Sequence, residues 1–392
     1  MTALFDTASQ AKVQHYLTAP EAGPRLLFFS GGSAINGMSQ QLKAFSHNTM
    51  HLLTTFDSGG SSAALRDAFA MPAVGDLRNR LLALANEETD KYLPIYNLFS
   101  LRLTQTDNAN TLLTVLSDIA SGSHPLASTL PAEIRSIVRL QLDAVLQKLP
   151  ATFDLEGASI GNLILAGSFL NGGACLDSAL ALCSKLLDVR GTIQSVVDDV
   201  GHLGAELDDG RVLIGQHLLT GKESSPLTAP IKRVFLSKAM DYFEPGAFVI
   251  NSKSREMINI ADLICYPPGS FYSSLIANLL SSGVSTAIAE NPCRKVFVPN
   301  LGSDPEQIGM DLSRLMQVLL THLQQDGEQK LPVASVLNYL VLDTTHGRYP
   351  FDMDFGLLES LGIQVVDLPL VTAGSAPYYD DHRLACALLS LV

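Results

Sequence analysis

The sequence has 392 residues, of which 47% are hydrophobic and 17% charged, and its formal net charge is -13. This length and composition are typical of a globular protein with a large core, and they exclude a disordered or fibrous chain. The negative charge and the lack of a Lys/Arg cluster argue against nucleic acid as a partner. No apolar run reaches the roughly 18 to 20 residues that cross a bilayer, so no membrane association is expected.

The cysteines and histidines give no sign of a metal or disulfide framework. The five cysteines are scattered without CxxC spacing, and the nine histidines show no paired-ligand spacing. This pattern predicts reduced thiols and no structural zinc. The N-terminal segment lacks a basic region followed by a continuous apolar stretch, so it is not a secretory signal, and we expect a cytoplasmic protein.

Short apolar segments, each followed by a turn or loop, recur along the chain after an extension at residues 1–24. Segments of this kind, bounded by glycine, are typical of buried strands, whereas spacings of three and four residues indicate helices. From about residue 88 to 150 the spacing is helical, which predicts a helical insertion. Strands are predicted at 25–30, 51–56, 189–197, 233–236, 261–266 and 294–299 and near 340 and 364, and helices at 63–69, 80–86, 163–170 and 271–280.

The alternation of strands and helices predicts an α/β fold with a mostly parallel sheet covered by helices on both faces. The turn Asp208-Asp209-Gly210 lies between alternating residues and predicts a β-hairpin. The hairpin adds antiparallel strands, so we expect a mixed sheet. No linker marks a boundary, and residues 25–392 are predicted to form a single domain.

Glycine- and serine-rich loops follow several of the predicted strands. Ligands of open α/β sheets bind beyond the carboxyl ends of strands, where free helix N–H groups and the helix dipole favour phosphate. Each loop alone can be an ordinary turn, and none matches GxGxxG or GxxxxGK[ST]. Together they predict a phosphate site formed by Gly31, Gly32, Ser33, Gly59, Gly60, Ser61, Ser62, Gly269, Ser270 and Asn300.

Charged side chains near these loops are the candidates for chemistry. Asp57 is either a helix cap or a ligand of a divalent cation or of a ribose hydroxyl. Arg78 either pairs with Asp76 or clamps a phosphate, and the scarcity of basic residues favours the clamp. Asn162 begins a helix, where it either caps that helix or contacts the ligand. We take Asp57, Asp76 and Arg78 as candidate catalytic residues.

Several blocks of the sequence resemble those of the CofD/YvcK-like family. Residues 57–66 (DSGGSSAALR) and 75–79 (GDLRN) are similar to the family's DDGGSSGRLR and GD[IL]RN blocks. Residues 161–165, 268–274 and 298–301 resemble GNLLL, GPGSLYTS and VYVxNL. The matches run in order from about residue 26 to 310, with a fainter one at 380–385. The GDLRN block, in place of a PDLD pattern, indicates the YvcK-type branch.

The resemblance implies a Rossmann-like fold and a nucleotide-linked ligand. CofD-type members transfer a phospholactyl group from a guanylylated donor to a deazaflavin with magnesium. YvcK-type members bind nucleotide sugars or dinucleotides and regulate carbon use and cell-wall synthesis. For this chain it implies substrate binding by Asp76, a ligand-binding block at Asn79 and Asn162, Mg²⁺ on Asp57 and Asp76, and a homodimer.

The sequence also departs from the family pattern. The first loop is Gly31-Gly32-Ser33-Ala34 instead of Gly-Gly-Thr-Gly, Ser58 replaces the second Asp of an Asp-Asp pair, and Ala158 replaces a His. Two hypotheses follow: a transferase acting on a nucleotide-activated donor, and a non-catalytic regulator that senses a nucleotide sugar. The lost carboxylate at position 58 favours the regulator slightly, and the absence of GxGxxG argues against an NAD-dependent dehydrogenase.

Overall fold

A computed structural model of the chain describes residues 7–105, 107–221, 225–327 and 329–392, so the first six residues of the predicted extension lie outside the described part. The chain forms two compact units. Unit 1 is made of Met1–Thr54 and Gly191–Val392, and unit 2 is Thr55–Arg190. The helical segment predicted at about 88–150 falls inside unit 2. Among the described residues, no helix has both the length and the apolar character needed to cross a membrane.

Ten strands form two sheets. In chain order they are β1 (Leu26–Ser30), β2 (Met50–Leu53), β3 (Thr192–Ser195), β4 (His202–Leu207), β5 (Val212–Ile214), β6 (Ile231–Ser237), β7 (Leu263–Tyr266), β8 (Arg294–Phe297), β9 (Tyr339–Leu342) and β10 (Gln364–Asp367).

Helices connect the strands and make up most of unit 2. In chain order they are α1 (Thr7–Thr18), α2 (Asn36–Leu42), α3 (Gly60–Phe69), α4 (Gly75–Leu84), α5 (Leu93–Ser100), α6 (Ala109–Ser121), α7 (Pro125–Ser128), α8 (Ala132–Lys148), α9 (Ile160–Asn171), α10 (Leu176–Leu186), α11 (His217–Thr220), α12 (Ser252–Ile260), α13 (Ala277–Leu279), α14 (Val284–Glu290), α15 (Leu312–Leu323), α16 (Val333–Val336), α17 (Phe355–Ser360) and α18 (Asp381–Ser390). Short 3₁₀ segments lie at Pro20–Ala22 and Pro305–Gln307, and a π-helical segment at Phe271–Ile276 leads into α13.

The main sheet belongs to unit 1 and has the order β10-β9-β8-β7-β1-β2-β3. Every pair of neighbouring strands is parallel. The central strands β1, β2 and β7 are buried at every residue, as expected for apolar strands covered on both faces. The predicted α/β fold is therefore confirmed. The strand order reverses between β1 and β7, which makes the ends of these two strands the switch point of the sheet.

The antiparallel strands form a sheet of their own, with the order β5-β4-β6. The predicted hairpin pairs β4 with β5, and Gly210 has a φ of 87° in its turn. The other edge of β4 pairs with β6. The expectation of one mixed sheet is therefore wrong: the hairpin does not join the parallel sheet, because β6 completes a separate three-stranded sheet with it.

A buried apolar cluster in unit 1 packs β1, β7 and β8 against α2 and α18. It includes Leu26, Phe28, Cys265, Val296 and Leu388. Their packing fixes α2 against the sheet, and so it also fixes the start of α2, which follows the first glycine loop.

Helix α9 is the central helix of unit 2 and is apolar on all sides, which is typical of a buried helix. It packs most extensively against α8. A Cβ on Gly167 would lie 2.0 Å from the carbonyl oxygen of Gln141, so the two backbones approach more closely than any larger residue permits. This contact fixes the position of α9, which begins beside the candidate site.

Candidate functional site

Two predicted loops of unit 2 lead into helices whose N-termini lie together. Helices α3 and α4 begin at Gly60 and Gly75, and their N-cap residues, Gly59 and Val74, form no capping hydrogen bond of their own. Ser62 Oγ of α3 accepts hydrogen bonds from the backbone N–H groups of Val74 (3.1 Å) and Gly75 (3.2 Å) at the start of α4. A Cβ on Gly75 would lie 3.3 Å from Asp57 Oδ2. The positive ends of two ten-residue helices thus meet beside Asp57.

Asp57 organises the loop before α3. Its Oδ1 accepts a hydrogen bond from the N–H of Gly59 at 3.1 Å, which is the geometry of an Asx-turn. Its backbone carbonyl accepts a hydrogen bond of 2.7 Å from Arg66 Nη1. Asp57 therefore shapes the turn that leads to the N-cap position, which Gly59 occupies.

Three buried arginines surround this place. Arg66, Arg78 and Arg80 are 7%, 6% and 0% exposed. Burial lowers the pKa of each of them, to about 10 for Arg78 and Arg80. Asp57 and Asp67 oppose this effect at Arg66, and Asp76 opposes it at the other two. Arg78 and Arg80, both on α4, thus act on the same carboxylate, Asp76.

Arg78 has the least balanced environment of the three. After burial, the largest effect on its pKa is repulsion by the positive charge of Arg102. Its Nε has no hydrogen-bond partner among the described residues. Buried guanidinium groups are normally paired, so this side chain is suited to an anionic ligand.

The start of α9 completes this part of unit 2. A Cβ on Gly161 would lie 2.6 Å from the carbonyl oxygen of Phe99 and 3.0 Å from Arg78, so glycine makes room for the arginine. Asn162 is 2% exposed and donates from Nδ2 to Ser61 Oγ at 2.9 Å. Its Oδ1 has no partner in the described part of the chain.

The structure thus brings together most of the predicted residues of unit 2. Asp57, Ser62 and the start of α4 are in contact, Asn162 binds Ser61, and Asp76 lies close enough to Arg78 to affect its pKa. Gly59 and Gly60 form the first turn of α3, and Asn79 is half-buried on α4. Sequence analysis missed Arg66 and Arg80, because nothing in a single sequence shows that an arginine is buried, and it also missed the exposed Arg102.

A cavity of about 290 Å³ opens beside Gly60 and Ser61. Its other walls are formed by Arg102 and by the segment that precedes α9, including Ala158 and Ser159. Ala158 is the residue that replaces the histidine of the family pattern, so that replacement lies on a cavity wall.

The remaining predicted residues belong to unit 1, where they lie at the switch point of the sheet. Gly31, Gly32 and Ser33 follow β1, and Gly32 has a φ of 30°. A Cβ on Gly269, in the loop after β7, would lie 3.6 Å from Ala34 Cβ. The loops after β1 and β7 are therefore neighbours, as the strand order requires.

The backbone N–H groups that follow Ser270 donate hydrogen bonds to carboxylates of the protein. The N–H of Phe271 donates to Asp304 Oδ2 at 2.9 Å, and those of Tyr272 and Ser273 donate to Glu306 Oε2 at 2.8 Å. Ser273 Oγ donates to Glu306 Oε1. Burial of Glu306, which is 2% exposed, and the nearby charge of Asp304 raise its pKa to about 7.

Two other side chains, Asn300 and Asp381, also contact the glycine loops of unit 1 or the helix that follows. Asn300 Oδ1 accepts a hydrogen bond of 2.6 Å from the N–H of Gly269. At the start of α2 the N–H of Met38 binds the Asp381 carboxylate, and a Cβ on Gly37 would overlap that carboxylate at 1.9 Å. In unit 1, a phosphate at these predicted residues would therefore rely on loop N–H groups and serine hydroxyls.

Asp57 and Asp76 are the two carboxylates predicted to hold Mg²⁺, and whether they suit this ion depends on a bound phosphate ligand. The described residues contain no group of three or more His, Cys, Asp or Glu side chains placed to hold a metal. Both carboxylates also face buried arginines. Because proteins bind Mg²⁺ with one or two carboxylates plus substrate phosphates, the pair suits this ion only in a complex with a phosphate ligand.

Comparison with known proteins identifies the family. The family model of 2-phospho-L-lactate transferase CofD matches residues 26–371. The chain is 26% identical to the gluconeogenesis factor of Bacillus subtilis strain 168, over 94% of this chain and 98% of that protein. It is 28% identical to the gluconeogenesis factor of Halalkalibacterium halodurans, over 87% of this chain and 88% of that protein.

A solved structure supports the fold. A member of the UPF0052 family from Bacillus halodurans superposes with a TM-score of 0.69 at 23% identity, covering 94% of this chain and 99% of that one. Together with the family model, which spans most of the sequence, this confirms the resemblance seen in the sequence blocks. The chain belongs to the family of 2-phospho-L-lactate transferase CofD.

Proposed function

We propose that the protein binds a nucleotide or nucleotide-linked phosphate ligand and, in the manner of CofD, transfers a phospho-group from a nucleotide-activated donor. The observation that carries the proposal is Arg78: a buried guanidinium with an unpartnered Nε and a second arginine close enough to repel it. A phosphate beside it would provide the negative charge that Asp76 supplies only in part.

The helix starts support the same ligand class. The N-termini of α3 and α4 bring positive potential to this place, and Gly59 and Gly60 allow close approach of the backbone. Donors that are fixed before the ligand arrives act strongly on developing charge in a buried site. Positioning and electrostatics are the main contributions that a protein makes to transfer at phosphorus.

In the proposed reaction, an acceptor hydroxyl forms a new bond to phosphorus while the bond to the nucleoside monophosphate breaks. The hydroxyl proton passes to a carboxylate, for which Asp76 is the candidate. Arg78 balances charge on the transferred group. The proposal includes Mg²⁺ held by Asp57 and Asp76 together with ligand phosphates, where it would neutralise part of their charge.

The alternative proposal is a regulator that senses a nucleotide sugar without turnover. The curated relatives carry the name gluconeogenesis factor rather than that of a transferase. Ser58, which replaces a carboxylate of the family pattern, is buried beside Asp57. A site with fewer carboxylates binds a cation less well but can still bind a phosphate.

Nucleotide release separates the two proposals. The purified protein is incubated with Mg²⁺ and a panel of guanylylated and uridylylated donors, and released nucleotide is measured by chromatography. Release that is lost in Asp76→Asn and Arg78→Gln supports the transferase. The matched control is Arg139→Gln, an arginine of unit 2 whose side chain is 63% exposed. Its release should equal that of the unchanged protein.

Thermal unfolding with the same ligands tests the shared premise. A ligand that binds only the native state raises Tm. A rise in Tm without nucleotide release would support the regulator. If no phosphate-bearing ligand in the panel raises Tm even at high concentration, both proposals fail.

A further inference from the structure

The cavity of about 290 Å³ in unit 2 carries opposite charges on its walls. Arg102 lines it, and so do Asp154 and Glu156. Within the described part of the chain, Arg102 forms no ion pair with either acid. Opposite charges that line one cavity without meeting leave room between them for a ligand that carries both signs.

The basic wall is held in place by the backbone. Arg102 Nη1 donates to the carbonyl oxygen of Gly157 at 3.0 Å. The N–H of Leu103 donates to Ala158 O at 2.9 Å, and the N–H of Ile160 donates to Leu101 O at 3.0 Å. These bonds tie the strand-like segment that carries Arg102 to the segment before α9. The guanidinium is therefore anchored, and its remaining donors are available to an anionic group.

The acidic wall is a short turn. Asp154 Oδ1 accepts a hydrogen bond of 2.9 Å from the backbone N–H of Glu156, which holds the Asp154 carboxylate against the turn. Both side chains are exposed, and neither forms an ion pair within the described residues. They can therefore accept hydrogen bonds from an ammonium group without first breaking an ion pair.

The cavity also has an apolar wall and a polar base. Phe153, Leu65 and Leu163 supply the apolar surface. Ser61 supplies a polar surface and is held by Asn162, whose buried Oδ1 has no partner in the described part of the chain. A buried acceptor without a partner next to the cavity is a second feature that favours a polar ligand.

We propose that this cavity binds a small zwitterion of the size of an amino acid. Its carboxylate lies on Arg102, its ammonium group on Asp154 and Glu156, and its side chain against Phe153. Such a ligand satisfies both walls at once, whereas a simple anion leaves the two acids without a partner and a simple cation leaves Arg102 without a carboxylate. The volume is near the lower end of the roughly 300 to 1,000 Å³ usual for ligand pockets, which suits one small molecule. This binding goes beyond the proposed function and requires no nucleotide.

The test compares free amino acids with blocked analogues by isothermal titration calorimetry on the full chain. The probes are L-serine, L-leucine and L-glutamate, with the N-acetyl derivative and the methyl ester of each. We expect at least one free amino acid to bind about tenfold or more tightly than both of its blocked forms, because a hydrogen bond to a charged group contributes about that factor.

Variants assign the two ends of the ligand. Arg102→Gln should abolish the preference for the free carboxylate, and the double variant Asp154→Asn with Glu156→Gln should abolish the preference for the free amine. The control is Arg139→Gln with Asp143→Asn, an exposed pair of α8 outside the cavity, and it should retain both preferences.

Two results would overturn the inference. One is equal binding of free and blocked forms to the unchanged protein. The other is the absence of binding by every free amino acid up to about 10 mM, a concentration that detects even millimolar affinity. Nucleotide binding is measured on the same samples, so failure of this inference leaves the proposed function unaffected, and the reverse also holds.

Discussion

Replacing Glu306 by Gln should change how the stability of the protein depends on pH. The folded protein raises the pKa of this carboxyl to about 7 from the ordinary 4.5, because the group is buried and lies close to Asp304. A raised pKa means that the folded state binds the proton more tightly than the unfolded state does. The stabilisation is therefore complete below about pH 4.5 and is lost as the pH rises through about 7.

The size of the effect follows from the two pKa values. Their difference corresponds to about 3 kcal/mol over the whole range, and most of this falls between pH 5 and pH 8. The side-chain amide introduced by Glu306→Gln would imitate the protonated acid: its carbonyl oxygen can accept from the N–H groups of Tyr272 and Ser273, and its NH₂ group can donate to Ser273 Oγ. The stability of the unchanged protein relative to this variant should therefore fall by about 2 to 3 kcal/mol from pH 5 to pH 8.

Urea unfolding at several pH values, followed by tyrosine fluorescence, measures this difference. The sequence contains no tryptophan, so tyrosines dominate the signal. Glu256→Gln is the matched control, since Glu256 is an exposed glutamate of the same unit. Its stability relative to the unchanged protein should not fall in the same way. A difference for Glu306→Gln that is flat between pH 5 and pH 8, or that rises, would refute the reasoning.

Two further substitutions test packing and capping. Gly167→Ala should destabilise unit 2 by about 2 to 3 kcal/mol in urea unfolding, because its Cβ would overlap the carbonyl oxygen of Gln141. The control is Gly374→Ala, whose Cβ would have its nearest contact at 3.9 Å. It should change the free energy of unfolding by less than about 0.5 kcal/mol. Asp326→Ala should lower the free energy of unfolding by about 1 to 2 kcal/mol, because Asp326 Oδ2 accepts a hydrogen bond of 2.8 Å from the N–H of Ser285 at the start of α14. Backbone hydrogen exchange at the start of α14 should become faster. Unchanged exchange there would contradict this role of Asp326.

Much of the fold could be predicted because its strands are local apolar runs. The segments that form β1, β7 and β8 are short, buried and followed by glycine or proline, and the interpretation of each as a strand needs no distant residue. Which sheet contains the hairpin could not be predicted in this way. The turn at Gly210 predicts that β4 pairs with β5, but the partner on the other edge of β4 is β6, which begins well beyond the hairpin at Ile231.

The site could be predicted only in part, for a similar reason. Asp57, Asp76 and Arg78 stand in recognisable sequence blocks, and the structure places them near one another. The burial of Arg66 and Arg80 results from the packing of helices, which no short motif encodes. Both are ordinary helical positions in the sequence, where a basic residue usually faces solvent.

The glycine loops look equivalent in the sequence. In the structure they differ in whether carboxylates of the protein already bind the N–H groups of the helix that follows. At Phe271–Ile276 the first N–H groups bind Asp304 and Glu306, so a phosphate arriving there would have to displace a negative charge that is already hydrogen-bonded. At the start of α4 the N–H groups of Val74 and Gly75 bind the neutral hydroxyl of Ser62, and the buried Arg78 has an unpartnered Nε and is repelled by Arg102. Since an anion gains most where positive charge is unmatched, we expect a phosphate to bind more strongly beside Arg78 than at the loop after β7. The loops of unit 1 are built as closed turns that hold the switch point in shape, and the acid that closes one of them, Glu306, changes its charge close to neutral pH.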